Sequence, residues 1–290
     1  MKIIRAEHLG MCFGVRDAIA LAVEHSDREP LTVLGELVHN EAVLEELRAR
    51  GIQTASDASG VNTAAVMVTA HGASNKAINR ARDLGLKVSE ATCPLVHSAH
   101  RALARLVKER FHPVIIGKRD HVEVRGMTED LQDFDVVLSE ADVIELKKHP
   151  RIGVVAQTTQ PIEIVRQLVE CIRRQFPSST VSFIDTVCQP TKQRQTAAID
   201  LAQRADVVIV VGGSQSNNTR QLARTCAQYC SRVHHVQFAA ELLSEWFRND
   251  DLVGLTAGTS TPDTVIDEVE RRICELFPAL AGVSSAPAIS

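Results

Sequence analysis

Three cysteines occupy equivalent positions in a pattern that runs through the sequence three times. Each is followed, 23 or 24 residues later, by a glycine that ends an apolar run rich in β-branched residues. The pairs are Cys12 with Gly35, Cys93 with Gly117, and Cys188 with Gly212. A shared offset of this kind indicates three related structural units. If these units surround a pseudo-threefold axis, the three sulfurs meet at its centre.

Three converging thiolates could hold a zinc ion with one open position, or an iron–sulfur cluster. A 4Fe-4S cluster normally takes four cysteines, so three would leave one iron able to act as a Lewis acid and pass electrons. The flanking sequences favour the cluster. In "GMCFG", Gly10 and Gly14 surround Cys12 and allow the backbone to approach a bulky group. All three cysteines also precede helical patterns, whose free N–H groups favour anionic sulfur.

The other four cysteines are better explained by packing. The seven cysteines include no CxxC pair, and in a cytosolic protein this favours free thiols or metal ligands over disulfides. Cys171 and Cys274 lie on the apolar faces of helical patterns, which predicts small buried side chains. Cys226 and Cys230 are four residues apart and could pair on a metal ion. No further ligand follows at suitable spacing, so core packing is favoured.

Polar loops follow the apolar runs in all three units, on the side expected to face the cysteines. Their side chains are neutral donors plus one carboxylate, and several stand at helix starts. Such groups suit an anion held by short hydrogen bonds and helix dipoles. Each Ser, Thr or Asn taken singly could equally be a helix cap, so the prediction depends on their equivalent placement. The candidates are His39, His71, His121, Glu123, Thr158, Thr159, Ser216, Asn217, Asn218 and Ser260. The remaining histidines lack that placement and carry no predicted role.

Alternating strand and helix patterns must position these residues. Apolar runs predict buried strands at 31–35, 64–70, 112–117, 151–157, 206–212 and 251–257. Helical patterns cover 40–50, 75–84, 97–110, 161–175, 192–204, 219–230 and 262–277. The predicted class is α/β, with three similar α/β lobes and mainly parallel sheets. The predicted lobes are 14–93, 94–187, and 1–13 together with 188–290.

The composition and charge of the chain argue against nucleic-acid and membrane partners. The net charge of −4 and the aromatic content of 3% argue against a nucleic-acid binder. The first residues lack the apolar stretch of a secretory signal, and no run is long and apolar enough to cross a membrane. We therefore expect a cytoplasmic protein without nucleic-acid or membrane partners. The small, polar segment "AGVSSAPAIS" (281–290) is expected to be frayed.

The sequence resembles the 4-hydroxy-3-methylbut-2-enyl diphosphate reductase family in nine ordered motifs between residue 3 and about residue 277. The motifs are GMCFGV, LVHN, TAHGAS, EATCPLV, HVEV, AQTTQ, DTVCQPTKQRQ, VVGGSQSNNT and TAGTSTPD. That family carries out the last step of the methylerythritol phosphate route, the reductive dehydroxylation of the allylic diphosphate to isopentenyl and dimethylallyl diphosphate. The resemblance implies a trefoil of the three similar α/β lobes around a central iron–sulfur cluster. It also implies that this is one 4Fe-4S cluster with three cysteine ligands and one open iron, and that a ferredoxin or flavodoxin is the electron donor.

The resemblance also implies roles for individual residues. By motif match, the cluster ligands are Cys12, Cys93 and Cys188. The substrate-binding residues are His39, His71, His121, Thr158, Ser216, Asn217, Asn218 and Ser260. Glu123, with Thr158 and His121, would deliver protons, which is the role the family gives to the acid of its HPE motif.

Three positions depart from the family pattern. Val122 replaces the proline of HPE, Asn217 replaces the second serine of SSN, and Pro190 stands where the family has alanine. None of these changes removes a ligand or the acid. Two other functions stay open from the residues alone: a non-redox iron–sulfur lyase, and an iron–sulfur sensor that binds a diphosphate metabolite without turnover.

Overall fold

The computed structural model of the chain describes residues 1–276. The segment 281–290, for which fraying is expected, lies outside the described residues. Within residues 1–276, short strands alternate with helices. The strands are β1 (Lys2–Arg5), β2 (Leu31–Leu34), β3 (Gln53–Ala55), β4 (Ala65–Val68), β5 (Lys87–Glu90), β6 (His112–Ile116), β7 (Asp135–Val137), β8 (Arg151–Ala156), β9 (Thr180–Phe183), β10 (Val207–Val211), β11 (Val233–Val236) and β12 (Leu252–Ala257). The helices are α1 (Phe13–Ser26), α2 (Glu41–Ala49), α3 (Asn75–Asp83), α4 (Pro94–Lys108), α5 (Val122–Thr128), α6 (Glu140–Ile144), α7 (Ile162–Gln175), α8 (Gln189–Ala202), α9 (Asn217–Cys226) and α10 (Asp263–Leu276).

The strands form three four-stranded sheets, and the pairing is parallel throughout. The strand order is β3-β2-β4-β5 in the first sheet, β7-β6-β8-β9 in the second, and β1-β12-β10-β11 in the third. Parallel neighbours need crossover connections, and the helices supply them. The predicted α/β class with three parallel-sheet lobes is confirmed.

The six strands predicted from apolar runs are the inner strands of these sheets, and the six that were missed are the edges. Every residue of the inner strand β10 is buried, whereas the edge strand β3 is mostly exposed. An inner strand of a covered parallel sheet is packed on both faces and therefore reads as a continuous apolar run. An edge strand is short and polar, which gives it no such pattern.

The helices cover the sheets with one apolar face each. In α7, the buried residues Val165, Leu168, Val169 and Ile172 repeat at helical spacing and pack against the second sheet. Helix α4 begins at Pro94, three residues earlier than predicted, because a proline is well tolerated in the first turn. Helix α9 ends at Cys226, four residues earlier than predicted.

The chain divides into two compact units. The two-sheet unit comprises Cys12–Lys192 and holds the first and second sheets. The one-sheet unit comprises Met1–Met11 with the segment from Gln193 onward, and holds the third sheet. The predicted lobe boundaries remain predictions. Among residues 1–276, none of the helices combines the length and apolar character needed to span a bilayer.

Candidate active site

The three repeated cysteines lie at the starts of three helices of the chain. Cys12 and Cys93 are the N-cap residues of α1 and α4, and Cys188 directly precedes α8. The backbone N–H of Cys93 donates to the Ala70 carbonyl at 3.1 Å, and that of Cys188 donates to the Thr158 carbonyl at 3.0 Å. These bonds tie two of the cysteines to the loops that follow β4 and β8. All three thiols are free and half-buried.

Several contacts indicate that the cysteines share one region of the two-sheet unit. A Cβ atom at Gly14 would lie only 2.4 Å from Cys93 Sγ, so the start of α1 passes directly over that sulfur. Burial, and to a smaller extent negative charge on Cys12 and Glu123, raises the pKa of both Cys93 and Cys188. Electrostatic coupling of this kind requires short separations, since water screens charges that are far apart.

The donor set fits an iron–sulfur cluster. Burial raises the pKa of Cys188 to about 11, although contacts with Thr191 oppose the shift. Burial likewise raises the pKa of Cys93, against the effect of the N–H groups of Leu95 and Val96. Thiols with raised pKa values stay protonated at neutral pH unless a cation holds them as thiolates. Three sulfurs at helix starts, one of them under a residue without a Cβ atom, provide such a site.

Thr191 contacts a cysteine sulfur, and the sequence analysis did not predict this contact. Its Oγ1 lies 3.1 Å from Cys188 Sγ, and the residue is fully buried. The spacing of the two residues could have indicated it. In the first turn of a helix, the side chain three residues after the N-cap residue points back towards that residue.

Three histidines from three loops of the two-sheet unit meet in an imidazole triad formed by His39, His71 and His121. The ring centroids of His39 and His71 are 4.5 Å apart, and His121 lies edge-on to both at 5.5–5.6 Å. The Nδ1 atom of His71 is buried and has no hydrogen-bond partner among residues 1–276. Burial, followed by the neighbouring His39 and His121, lowers the pKa of His71 well below 6.5. His71 therefore offers a neutral imidazole to an incoming anion.

Glu123 is the buried carboxyl group of this region. It is 1% exposed and accepts hydrogen bonds from Thr158, at 2.6 Å from the backbone N–H and 3.0 Å from Oγ1. Burial raises the pKa of Glu123 to about 7, even though both Thr158 bonds favour the carboxylate. A carboxyl group with such a pKa can hold or release a proton at neutral pH.

Helix α5 carries both His121 and Glu123. His121 is the N-cap, and its Nδ1 accepts from the Glu123 backbone N–H at 3.1 Å, so the ring proton sits on Nε2. Glu123 was predicted to lie in a polar loop, and this prediction was wrong because α5 begins at Val122. The run "VEVRGMT" is too short to show a helical period.

The far end of α5 anchors the loop that holds His71. Glu129 accepts a hydrogen bond from Ser74 Oγ at 2.6 Å, and Asp130 accepts from the backbone N–H groups of Asn75 and Lys76 at 2.7 and 3.0 Å. We call these contacts the α5–α3 anchor. Ser74 is also the N-cap of α3, where its side chain accepts from the Ala77 N–H, and the sequence does not indicate its distant carboxylate partners.

The one-sheet unit carries the four remaining predicted binding residues. Ser216 caps α9, with Asn217 and Asn218 in the first turn, and Ser260 follows β12. All four are buried. Asn217 and Asn218 were predicted in a loop and instead begin the helix. The Nδ2 atom of Asn218 is buried without a partner among the described residues, so it can donate to a ligand.

The remaining cysteines divide into two groups. Cys226 and Cys230 are buried in the core of the third lobe, as predicted. Cys171 and Cys274 are half-buried rather than buried, so that part of the prediction was wrong. Cys171 sits near the end of α7, where Arg174 Nη2 donates to its sulfur at 3.1 Å.

Comparison with known proteins identifies the family. The family model described as "LytB protein" matches residues 3–274. A protein from Trichlorobacter lovleyi is 37% identical over 94% of this chain and 98% of its own length, and one from Geobacter sulfurreducens is 36% identical over 95% and 98%. Both are named 4-hydroxy-3-methylbut-2-enyl diphosphate reductase.

Two solved structures agree with this assignment. One, of (E)-4-hydroxy-3-methyl-but-2-enyl diphosphate reductase described as the terminal enzyme of the non-mevalonate pathway, is 36% identical, with a TM-score of 0.68 over 94% of this chain and 99% of its own. The other, from Plasmodium falciparum and described as an E-1-hydroxy-2-methyl-but-2-enyl-4-diphosphate reductase, is 26% identical, with a TM-score of 0.89 over 94% and 88%. The chain therefore belongs to the LytB protein family.

Proposed function

We propose that this chain is an iron–sulfur oxidoreductase that removes the allylic hydroxyl of (E)-4-hydroxy-3-methylbut-2-enyl diphosphate and releases isopentenyl and dimethylallyl diphosphate. The observation that carries the proposal is the buried Glu123, held by Thr158 and electrostatically coupled to two of the three cysteines. An acid of this kind beside a thiolate site suits a reaction that must protonate a leaving hydroxyl.

Cys12, Cys93 and Cys188 would hold one 4Fe-4S cluster with one iron free of protein ligands. When bound, that cluster supplies electrons one at a time and a Lewis-acidic iron. Backbone hydrogen bonds to Ala70 and Thr158 fix two of the three cysteines, Cys93 and Cys188. Gly14 keeps the space over Cys93 Sγ clear.

The imidazole triad would bind and orient the substrate's diphosphate. His121 donates through Nε2–H, because its Nδ1 already accepts from the backbone. His71 has a buried nitrogen with no partner among residues 1–276, and a phosphate oxygen would give it one. Ser216, Asn217, Asn218 and Ser260 remain predicted diphosphate ligands, and the buried Nδ2 of Asn218 supports that role.

Glu123 would deliver the proton that lets the hydroxyl leave as water. The complete reaction consumes two electrons and two protons: the allylic C–O bond breaks, one proton joins the departing oxygen and the other joins carbon. Protonation at either end of the allyl fragment gives one or the other product. The electrons come from a one-electron carrier, for which we propose a reduced ferredoxin or flavodoxin, and we propose a cytoplasmic location.

Anaerobic reconstitution tests the proposal. The chain purified without oxygen and supplied with iron and sulfide is expected to bind about four of each and to give a Mössbauer spectrum with one distinct iron. Addition of the allylic diphosphate with a chemical reductant should then yield both products. Turnover without reductant would instead indicate a lyase, binding without product would indicate a sensor, and a colourless, metal-free protein would end the proposal.

A further inference from the structure

We propose that the amino-terminal edge of the second sheet binds one divalent zinc-like ion through His112, Asp135 and His149. Each of these residues offers a ligand atom, and the three atoms lie within 4.8 Å of one another. The sequence gives them no role, and the proposed reductase chemistry uses none of them.

This cluster lies at the opposite edge of the sheet from the candidate active site. His112 is the first residue of β6, Asp135 is the first residue of β7, and His149 stands two residues before β8. His121, by contrast, follows the carboxyl end of β6. Because an extended strand rises about 3.3 Å per residue, β6 separates the two edges by roughly 13 Å. The two sites are therefore distinct.

The register of the sheet brings the first two ligands to one face. Val114 pairs with Asp135 across β6 and β7. Side chains two apart along a strand share a face, so His112 lies on the same side as Val114 and Asp135. As a result, His112 Nε2 is 2.8 Å from Asp135 Oδ2.

The third ligand is fixed from the other side. The rings of His149 and His112 are stacked with centroids 3.6 Å apart and planes inclined by only 4°. The His149 carbonyl accepts from Ser179 Oγ at 2.6 Å, and the next carbonyl, of Pro150, accepts from the Thr180 N–H at 2.9 Å. These bonds hold the backbone of His149 beside β9, and none of them involves its ring.

Two imidazoles and one carboxylate form a donor set that zinc and its neighbours in the transition series prefer. Calcium and magnesium prefer oxygen ligands alone and are disfavoured here.

Zinc binding requires a local rearrangement of the three ligand atoms. Zinc takes its ligands at about 2.0–2.2 Å from the ion, so the three atoms must move closer together. The in-plane lone pairs of two stacked rings lie in parallel planes and cannot converge on one ion, so binding requires the half-buried His149 ring to turn towards Asp135. The Asp135 side chain is 36% exposed, which leaves room for a water molecule as fourth ligand.

Asp133 is not a ligand of the proposed zinc ion, but its carboxylate lies beside one of the ligands, His112. Its Oδ2 lies 3.5 Å from His112 Nδ1, the nitrogen that does not face Asp135. A metal-bound histidine commonly directs its second ring nitrogen towards a carboxylate, which fixes its tautomer and orientation. The His112 side chain is well buried, whereas Asp133 is exposed. An ion at this site would fasten the three-residue edge strand β7 to β6 and to the segment before β8.

Zinc titration of the reconstituted holoenzyme tests the site, with calorimetry and with measurement of zinc per chain after gel filtration. His149→Gln removes a ligand, His8→Gln is a control at an exposed histidine, and His71→Asn separates this site from the imidazole triad, which also has metal-ligand spacing. We expect one zinc site to disappear in His149→Gln and to persist in both other variants. Equal zinc binding by His149→Gln and the parent chain would overturn the proposal, and so would loss of that site in His71→Asn.

A second variant keeps the proposal falsifiable should His149→Gln fold poorly. Asp133 is 81% exposed, so Asp133→Asn should leave the fold intact. Loss of an orienting carboxylate typically weakens metal binding by about 10–100-fold, and we expect a shift of that size in the zinc Kd. An unchanged Kd in a well-folded Asp133→Asn would overturn the proposal, because the bound zinc would then not be held through His112.

Discussion

Glu123 and Thr158 are joined by two hydrogen bonds across 35 residues of sequence: one carboxyl oxygen accepts from the backbone N–H and the other from the hydroxyl. Both bonds stabilise the carboxylate, yet burial prevails and holds the pKa of Glu123 at about 7. Thr158 also uses its carbonyl to accept from the Cys188 N–H. One threonine therefore positions both the proposed acid and a proposed cluster ligand.

Glu123→Gln should retain substrate binding and lose most of its turnover. Glutamine keeps the shape and can still accept from Thr158, but it cannot donate a proton to the leaving oxygen. We expect kcat to fall about 10²–10⁴-fold, with an unchanged iron content. The anaerobic assay with a chemical reductant measures this, and Glu163→Gln, an exposed position on α7, is the matched control. Near-normal turnover in Glu123→Gln would rule out the acid assignment.

The pH profile of kcat/KM should follow Glu123 in the free enzyme. The protonated form is the active acid, so kcat/KM should decline as pH rises through about 7. Thr158→Val removes a hydrogen bond that favours the carboxylate, and this should move the decline upward by about 1 pH unit. A downward shift, or no shift, would show that another group sets the profile.

Diphosphate binding should be accompanied by proton uptake at His71. Without ligand, burial and two neighbouring imidazoles hold the pKa of His71 well below 6.5, so the ring is neutral at pH 7. A bound polyanion favours the charged ring and raises that pKa, so we expect uptake of up to about one proton per ligand. Calorimetry with inorganic diphosphate in buffers of different ionisation enthalpy measures the uptake. Unchanged proton uptake in His71→Asn would contradict the assignment.

Gly14→Ala should impair cluster assembly. The added methyl group would lie 2.4 Å from Cys93 Sγ, a distance that forces either the sulfur or the start of α1 to move. We expect loss of most of the iron after reconstitution, with the helical content retained. Gly60→Ala is the control, because a Cβ there meets only Ala55 at an ordinary 3.9 Å. Full iron loading of Gly14→Ala would show that the added methyl group does not displace the Cys93 sulfur from the cluster site.

The sequence predicted the inner framework of each lobe because that framework is buried on both sides. The strands β2, β4, β6, β8, β10 and β12 are continuous apolar runs. The three cysteines stand 23 or 24 residues before the glycines that follow β2, β6 and β10. Edge strands such as β3 and β5 lie half in water and carry polar side chains, so no pattern identifies them.

The candidate site was predicted in its residue types but not in its contacts. Spacing alone could place His39, His71 and His121 in loops at strand ends, and the structure brings their rings within 6 Å of one another. It could not predict the α5–α3 anchor, since Ser74 and Glu129 are 55 residues apart and each fits a surface role by itself. The raised pKa of Glu123 was equally hidden, because burial is a property of the packed chain.

The α5–α3 anchor has a consequence for how this protein tolerates variation. One short helix holds the proposed acid in its first turn, and the two residues that follow the helix fasten the His71 loop. Substitutions at Glu129 or Asp130 would therefore alter substrate affinity although neither residue is a proposed substrate ligand.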